Sequence, residues 1–169
     1  GQVQIQSGWN VTSINVINAE EYPKFPDAEP EKTIRLNKED LDKMIGKTVF
    51  ACSTDNARPV FTGAYITFEE GEMMVAASDS RVLAISKTNS DNNITGFSAI
   101  IPAKALNNVQ SIEGKKKEIE ISFADTRVIF ACNKTKIVSN VINGSYPNVM
   151  QVIPKEWTTV VEVDREKFI

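Results

Sequence analysis

The stretch Ala64–Lys87, AYITFEEGEMMVAASDSRVLAISK, returns 55 positions later as Ile119–Ile142, IEISFADTRVIFACNKTKIVSNVI. Under that displacement Ile66-Thr67-Phe68 falls on Ile121-Ser122-Phe123, Met73 on Val128, Val75 on Phe130, Ala77 on Cys132, and Val82-Leu83 on Ile137-Val138. Apolar residues at alternate positions are the signature of half-buried strands, and Glu69-Glu70-Gly71 is a tight turn between two of them. Strands are expected over Pro59–Phe68, Glu72–Lys87, Ile94–Ile101, Glu118–Ala124, Arg127–Asn133 and Lys134–Ile142. Upstream of each copy the period changes to that of a helix. Asn37 is an N-cap with Glu39 and Asp40 in the first turn, and Leu41, Met44, Ile45 and Thr48 line one face to about Phe50. A second helix starts at Pro102 and runs to about Ile112, with Leu106, Val109 and Ile112 inward. The helices repeat at a displacement of 65, Leu36…Leu41 on Ile101…Leu106. With a short strand at Thr33–Leu36, the unit is strand–helix–strand–strand–strand, present twice between Thr33 and Ile142. Two copies side by side predict an α+β architecture, with two helices on one face of antiparallel sheets about a pseudo-twofold axis.

On either side of the doubled unit the chain changes character. Tyr22–Lys32, YPKFPDAEPEK, holds three of the seven prolines and reads as a linker. Pro154-Lys155-Glu156 reads as another, followed by a new strand and a helix cap at Asp164. The opening GQVQIQSG, which begins on Gly1 with strand-like alternation, is expected to be the end of a preceding unit, so that the chain is a piece of a longer protein. Composition narrows function. With 169 residues, 41% hydrophobic and 24% charged, the chain suits one or two folded domains. It has no histidine, which removes a Ser-His-Asp or Cys-His relay, an imidazole base and His-ligated zinc or haem. Cys52 and Cys132, each among small or apolar neighbours, are expected to be buried, reduced thiols of a cytosolic protein. No stretch approaches the length of a membrane-spanning helix. Four N-x-S/T sequons, at Asn10, Asn93, Asn133 and Asn143, are expected by chance in an Asn-rich chain.

Four motifs then stand in order: DNARPVFTGAYI (Asp55–Ile66), AASDSRVLA (Ala76–Ala84), IIPAKAL (Ile100–Leu106) and INGSYPNVMQVIP (Ile142–Pro154). They resemble the middle domain of the bacterial sliding clamp, the beta subunit of DNA polymerase III. AEEYPKFP (Ala19–Pro26) resembles that family's link from first to second domain, and TTVVEVDREKFI (Thr158–Ile169) its link into the third. The resemblance implies a DNA-clamp fold divided into residues 1–22 (end of a first domain), 23–32 (linker), 33–154 (a complete middle domain) and 155–169 (start of a third). It implies a processivity factor, a three-domain chain forming a head-to-tail homodimeric ring around duplex DNA in the bacterial cytoplasm. That ring tethers polymerase, clamp loader and repair proteins through short hydrophobic peptide motifs. The chain by itself is expected to be monomeric, with no catalytic residue, cofactor or metal.

A ring that slides needs weak, sequence-independent attraction to phosphates, which a few long cations and short polar groups on helices provide. Lys38, Lys43 and Lys47 on the first helix and Lys104, Asn107 and Asn108 on the second offer that chemistry, Lys104 matching a basic position of the family. The resemblance also implies a partner-peptide pocket whose second-domain wall is Arg58, Phe61, Ser78, Ser80, Arg81, Leu83, Pro147 and Val152. Periodicity alone assigns Leu83 and Val152 to the core instead. Many clamps read His-Arg-Leu where this chain reads Arg81-Val82-Leu83, which moves the cation by one position. The third-domain wall is outside this sequence, so a half-pocket of low peptide affinity is expected.

Two rival classes make distinct demands. A carboxylate enzyme would draw on Glu69, Glu70 and Glu72 or on Asp55 and Asp79, but the glutamates occupy a hairpin tip with no apolar pocket to raise a pKa. The eight scattered glycines form no phosphate loop. A β-rich protein-interaction scaffold would use the same repeat with no role on DNA.

Overall fold

The computed structural model describes residues 1–22, 32–90, 96–113, 117–124 and 126–168. Most of the Pro-rich linker and the first residues of the strand expected from Ile94 lie outside that set. A hairpin of β1 (Gln2–Ser7) and β2 (Asn10–Asn15) opens the chain. The doubled unit follows as β3 (Lys32–Asn37), α1 (Lys38–Thr48), β4 (Gly63–Glu69), β5 (Glu72–Ser78) and β6 (Leu83–Asn89). Its second copy is β7 (Phe97–Pro102), α2 (Ala103–Gln110), β8 (Glu118–Ala124), β9 (Arg127–Cys132) and β10 (Thr135–Asn140).

Several expected boundaries are corrected. Glu72–Lys87 is not one strand but β5 and β6, split by a turn at Asp79–Val82, which supplies the third strand the repeat requires. Pro59–Thr62 is a 3-10 turn because Pro59 lacks the amide a sheet ladder needs. Pro102 caps α2 rather than entering it, and α2 stops at Gln110. Thr158–Val163 has strand-like residues but pairs with no strand among the described residues and forms none; Asp164 still caps a short α4 (Arg165–Phe168). The tight turn stands as read: Glu70 (φ 50°) and Gly71 (φ 80°) form a two-residue loop between the paired Glu69 and Glu72.

The sheets are assembled by exchange between the copies. One runs β10-β9-β8-β3 and the other β6-β5-β4-β7, so each copy lends its first strand to the other copy's sheet. The registers are equivalent: Ile34 faces Ile121 across β3–β8, and their counterparts Ala99 and Ile66 face each other across β7–β4. This is the pseudo-twofold relation expected from the repeat. Inward alternation puts Ile66, Phe68, Met73 and Val75 of one sheet and Ile119, Ile121, Val128 and Phe130 of the other into a single core, all at most 1% exposed. The core is completed by Leu41, Met44 and Ile45 of α1 and Leu106 and Val109 of α2. Gly46 lets the helices approach, since a Cβ there would stand 3.2 Å from Gln110 Nε2, which donates to the Asp42 carbonyl at 3.1 Å.

Candidate functional site

Two surfaces gather the residues singled out by the sequence. The first is the outer side of the paired helices. Asn37 Oδ1 accepts the Glu39 amide at 2.9 Å and fixes where α1 begins. Lys43, Lys47, Lys104, Asn107 and Asn108 are exposed there. Lys43 pairs with Glu39 one turn earlier at 2.8 Å, which holds Glu39 below the usual carboxylate range and raises the Lys43 ammonium. Lys47 and Lys104 pair with no described residue. Lys38 is different, and its expected place on the open cationic face is corrected. It is 7% exposed, its ammonium lies 2.6 Å from Asp42, and it reaches the Gln110 carbonyl at 3.5 Å. It is wedged between the helices because it sits on the α1 flank that α2 covers.

The second surface is the outer face of the β6-β5-β4-β7 sheet. There Tyr65, Met74, Ile85 and Ile100 lie under the segment from Ile142 to Val149, and Tyr146 is the keystone. It stacks on Tyr65 (centroids 5.1 Å apart) and meets Phe61 edge-on at 5.7 Å. Arg58 rests over the Phe61 ring at 5.3 Å and donates from Nη2 to Ser80 Oγ at 3.0 Å. Ser78 and Leu83 are paired at the root of the β5–β6 turn. The structure thus brings Arg58, Phe61, Ser78, Ser80, Arg81 and Leu83 together, with Pro147 next to Tyr146. Leu83 is half-buried rather than in the main core. Val152, on the short α3 (Val149–Val152), is 65% exposed, and Val149 takes the buried position periodicity would have given it.

Tyr65 lies outside the expected site residues, yet the repeat marks it by where it fails; Tyr146 and Val149, also outside them, lie beyond the repeat. Arg35 and Glu120, partners across β3–β8, form an ion pair on the open face of one sheet. Their counterparts across β7–β4 are Ile100 and Tyr65, on the covered face of the other. The repeat fails a second time at the next turn. Ala77, which pairs with Ala84, corresponds to Cys132, which pairs with Thr135, so the first copy carries four more residues there. The alignment of Val82-Leu83 with Ile137-Val138 is therefore corrected; those extra residues are the Asp79–Val82 loop of the site. Ser80 within it has φ 78°, a left-handed conformation unusual for a residue with a Cβ.

Beside the apolar slot lies a polar cavity of about 280 Å³. Asp55 and Asp79 both line it, but each is engaged by backbone. Asp55 Oδ1 accepts from the Ala57 amide, and Asp79 Oδ1 from those of Val82 and Arg81 at 2.8 Å. Those amides hold Asp79 below its ordinary value, the opposite of what a general base near neutrality requires. Burial pushes the Cys52 thiol, on the same wall, up to about 11. Glu72 is tied to Lys87 at 2.7 Å. Among the described residues no cluster of three Cys, Asp or Glu side chains stands ready for a metal, and no helix is long and apolar enough to cross a membrane.

The sequence profile of the central domain of the DNA polymerase III beta subunit matches residues 35–148. The chain is 30% identical, over 98% of its length, to the beta sliding clamp of Bacillus subtilis and 32% identical, again over 98%, to that of Halalkalibacterium halodurans. It spans about 44% of the length of each. A crystal structure of the Bacillus subtilis DNA polymerase sliding clamp superimposes with a TM-score of 0.83 and 29% identity, over 92% of this chain and 41% of that one.

Proposed function

We propose, from the premise that this chain belongs to the DNA polymerase III beta-subunit family and carries its central domain, that it is one segment of a sliding clamp. The assembled protein encircles duplex DNA in the bacterial cytoplasm as a head-to-tail homodimer and keeps polymerases, the clamp loader and repair proteins on the template. Its own role is non-catalytic. Residues 1–22 and 155–169 belong to the flanking first and third domains. Lys43, Lys47, Lys104, Asn107 and Asn108 face the DNA, and the slot around Phe61, Leu83, Pro147 and Tyr146 receives hydrophobic peptides of partner proteins.

The observation that carries the reading is the pairing of two helices with an exposed Lys/Asn face, in a unit that also carries an aromatic cluster on the outer face of the β6-β5-β4-β7 sheet. Cations that are few, long and mostly unpaired attract phosphates without reading base edges. Anisotropy of labelled duplexes against salt tests this. Affinity should be weak and sequence-independent. Its log–log salt slope should be about −1.8 if Lys47 and Lys104 each neutralise one phosphate, falling by about 0.9 with Lys47→Ala and again with Lys104→Ala. A slope indifferent to both substitutions refutes the assignment of these helices. Peptide binding with no DNA binding at low salt would favour the interaction scaffold.

A further inference from the structure

Asn143-Gly144 is the one asparagine–glycine step in the sequence. Every other asparagine precedes a residue whose side chain crowds the approach to its carboxamide, and several are tied down as well. Asn18, Asn37 and Asn148 each accept a backbone amide two residues on, and Asn15 accepts from Gln2. Asn143 has neither restraint. It is exposed, lies outside helix and strand, and its carboxamide forms no hydrogen bond with any described residue. The Gly144 amide donates to no backbone carbonyl among the described residues, so its nitrogen is open to react. Both residues line a cavity of about 280 Å³, ample for water.

The fold requires glycine at this position. Gly144 has φ 147°, and a Cβ on it would stand 2.6 Å from Val60 Cγ1. The packing that forbids a side chain at 144 therefore also leaves the Asn143 carboxamide unshielded. On either side the chain is anchored. The Ile142 amide donates to the Ile100 carbonyl at 2.8 Å, and the Tyr146 ring is held by Tyr65 and Phe61.

We propose that Asn143-Gly144 is a site of spontaneous covalent modification, a slow chemical timer in the segment that covers the β6-β5-β4-β7 sheet. The Gly144 nitrogen, having given its proton to solvent, attacks Asn143 Cγ. The new N–C bond closes a five-membered imide, and the side-chain nitrogen takes up a proton and leaves as ammonia. Water then opens the ring. Breaking the bond to Cγ yields aspartate, and breaking the bond to the main-chain carbonyl carbon yields isoaspartate, whose main chain runs through Cβ and Cγ. The aspartate is readily accommodated, because Lys32 is the charged side chain among those lining the cavity. The isoaspartate is not. Its extra main-chain carbon must be taken up between the Ile142 anchor and Tyr146, and it draws the Tyr146 ring out of its stack on Tyr65.

The test ages the whole chain in mildly alkaline buffer and follows each asparagine by peptide mapping, with electron-transfer fragmentation to distinguish aspartate from isoaspartate. Asn143 should convert at least about tenfold faster than any other asparagine, release an equivalent of ammonia and yield both products. The rate should rise with pH, since the nitrogen reacts as its anion. Asn143→Gln, which would have to close a six-membered ring, should stop the conversion. In aromatic NMR spectra Asn143→Asp should leave the Phe61, Tyr65 and Tyr146 signals in place, whereas the isoaspartate fraction should show the Tyr146 ring displaced. If Asn143 survives in the folded chain but converts in guanidinium, the fold protects the step and the proposal is overturned. Aspartate formed without isoaspartate also overturns it, because no imide was then made. Isoaspartate with unmoved Tyr146 signals refutes the coupling to the covering segment.

Discussion

Replacing Tyr146 by phenylalanine removes one oxygen from the centre of the outer-face cluster, and it should stabilise the protein. The residue is 9% exposed, and its hydroxyl is buried without a hydrogen-bond partner among the described residues. A buried, unsatisfied polar group costs about 1–3 kcal/mol, so its deletion should gain about 1 kcal/mol once the loss of a small contact volume is allowed for. Burial also pushes the phenol up to about 12; the nearby Ser78 amide pulls weakly the other way but does not reach hydrogen-bond geometry. Because the folded-state value is raised, Tyr146 leaves stability intact below pH 10, and stability is lost as pH rises from there towards 12. Tyr146→Phe should remove that part of the alkaline loss. Tyr146→Ala, which strips the ring from between Tyr65 and Phe61, should cost about 3 kcal/mol. Urea unfolding near neutral pH and again near pH 11 measures all three, with the midpoint moving and the m-value unchanged. If Tyr146→Phe lowers stability by more than about 0.5 kcal/mol, the hydroxyl has a partner and the reasoning is wrong.

Other expectations follow from the same geometry. Ser80→Gly should relieve the left-handed conformation at φ 78° and raise stability by about 0.5–1 kcal/mol in thermal unfolding, while freeing Arg58 from its hydroxyl anchor. Asp42→Asn strands the Lys38 ammonium between two helices and should cost about 2–3 kcal/mol. Lys38→Met leaves only a partly exposed carboxylate and should cost less, so the reverse order in urea midpoints would contradict the wedge geometry. Glu39→Gln releases Lys43 and should steepen the salt dependence of duplex binding by about 0.9. Both thiols should resist an aromatic disulfide reagent at pH 8 in the native chain and react fully in urea, since Cys132 is buried and Cys52 is held neutral.

Much of this molecule is legible along the chain. Alternation at Ile66, Phe68, Met73 and Val75 and again at Ile121, Phe123, Val128 and Phe130 specifies strands, inward faces and the duplication, because strand periodicity is a property of a few consecutive residues. Asn37 and Gly71 mark an element's start and a turn for equally local reasons, capping and a positive φ. What periodicity leaves open is partnership. Nothing in the residues around Arg35 says that it meets Glu120, 85 positions away, in the other copy's sheet. Nor does the spacing of Lys38, Lys43 and Lys47 say that one is sealed by α2, one paired and one free. Tyr146 lies in a stretch with neither period, and its burial depends on the sheet face beneath it. The sequence by itself determined a doubled α+β unit with a cationic helix pair. The tertiary structure alone decided which strands were exchanged, which cations reach solvent and which sheet face is covered, because these are contacts between distant segments that no local pattern records.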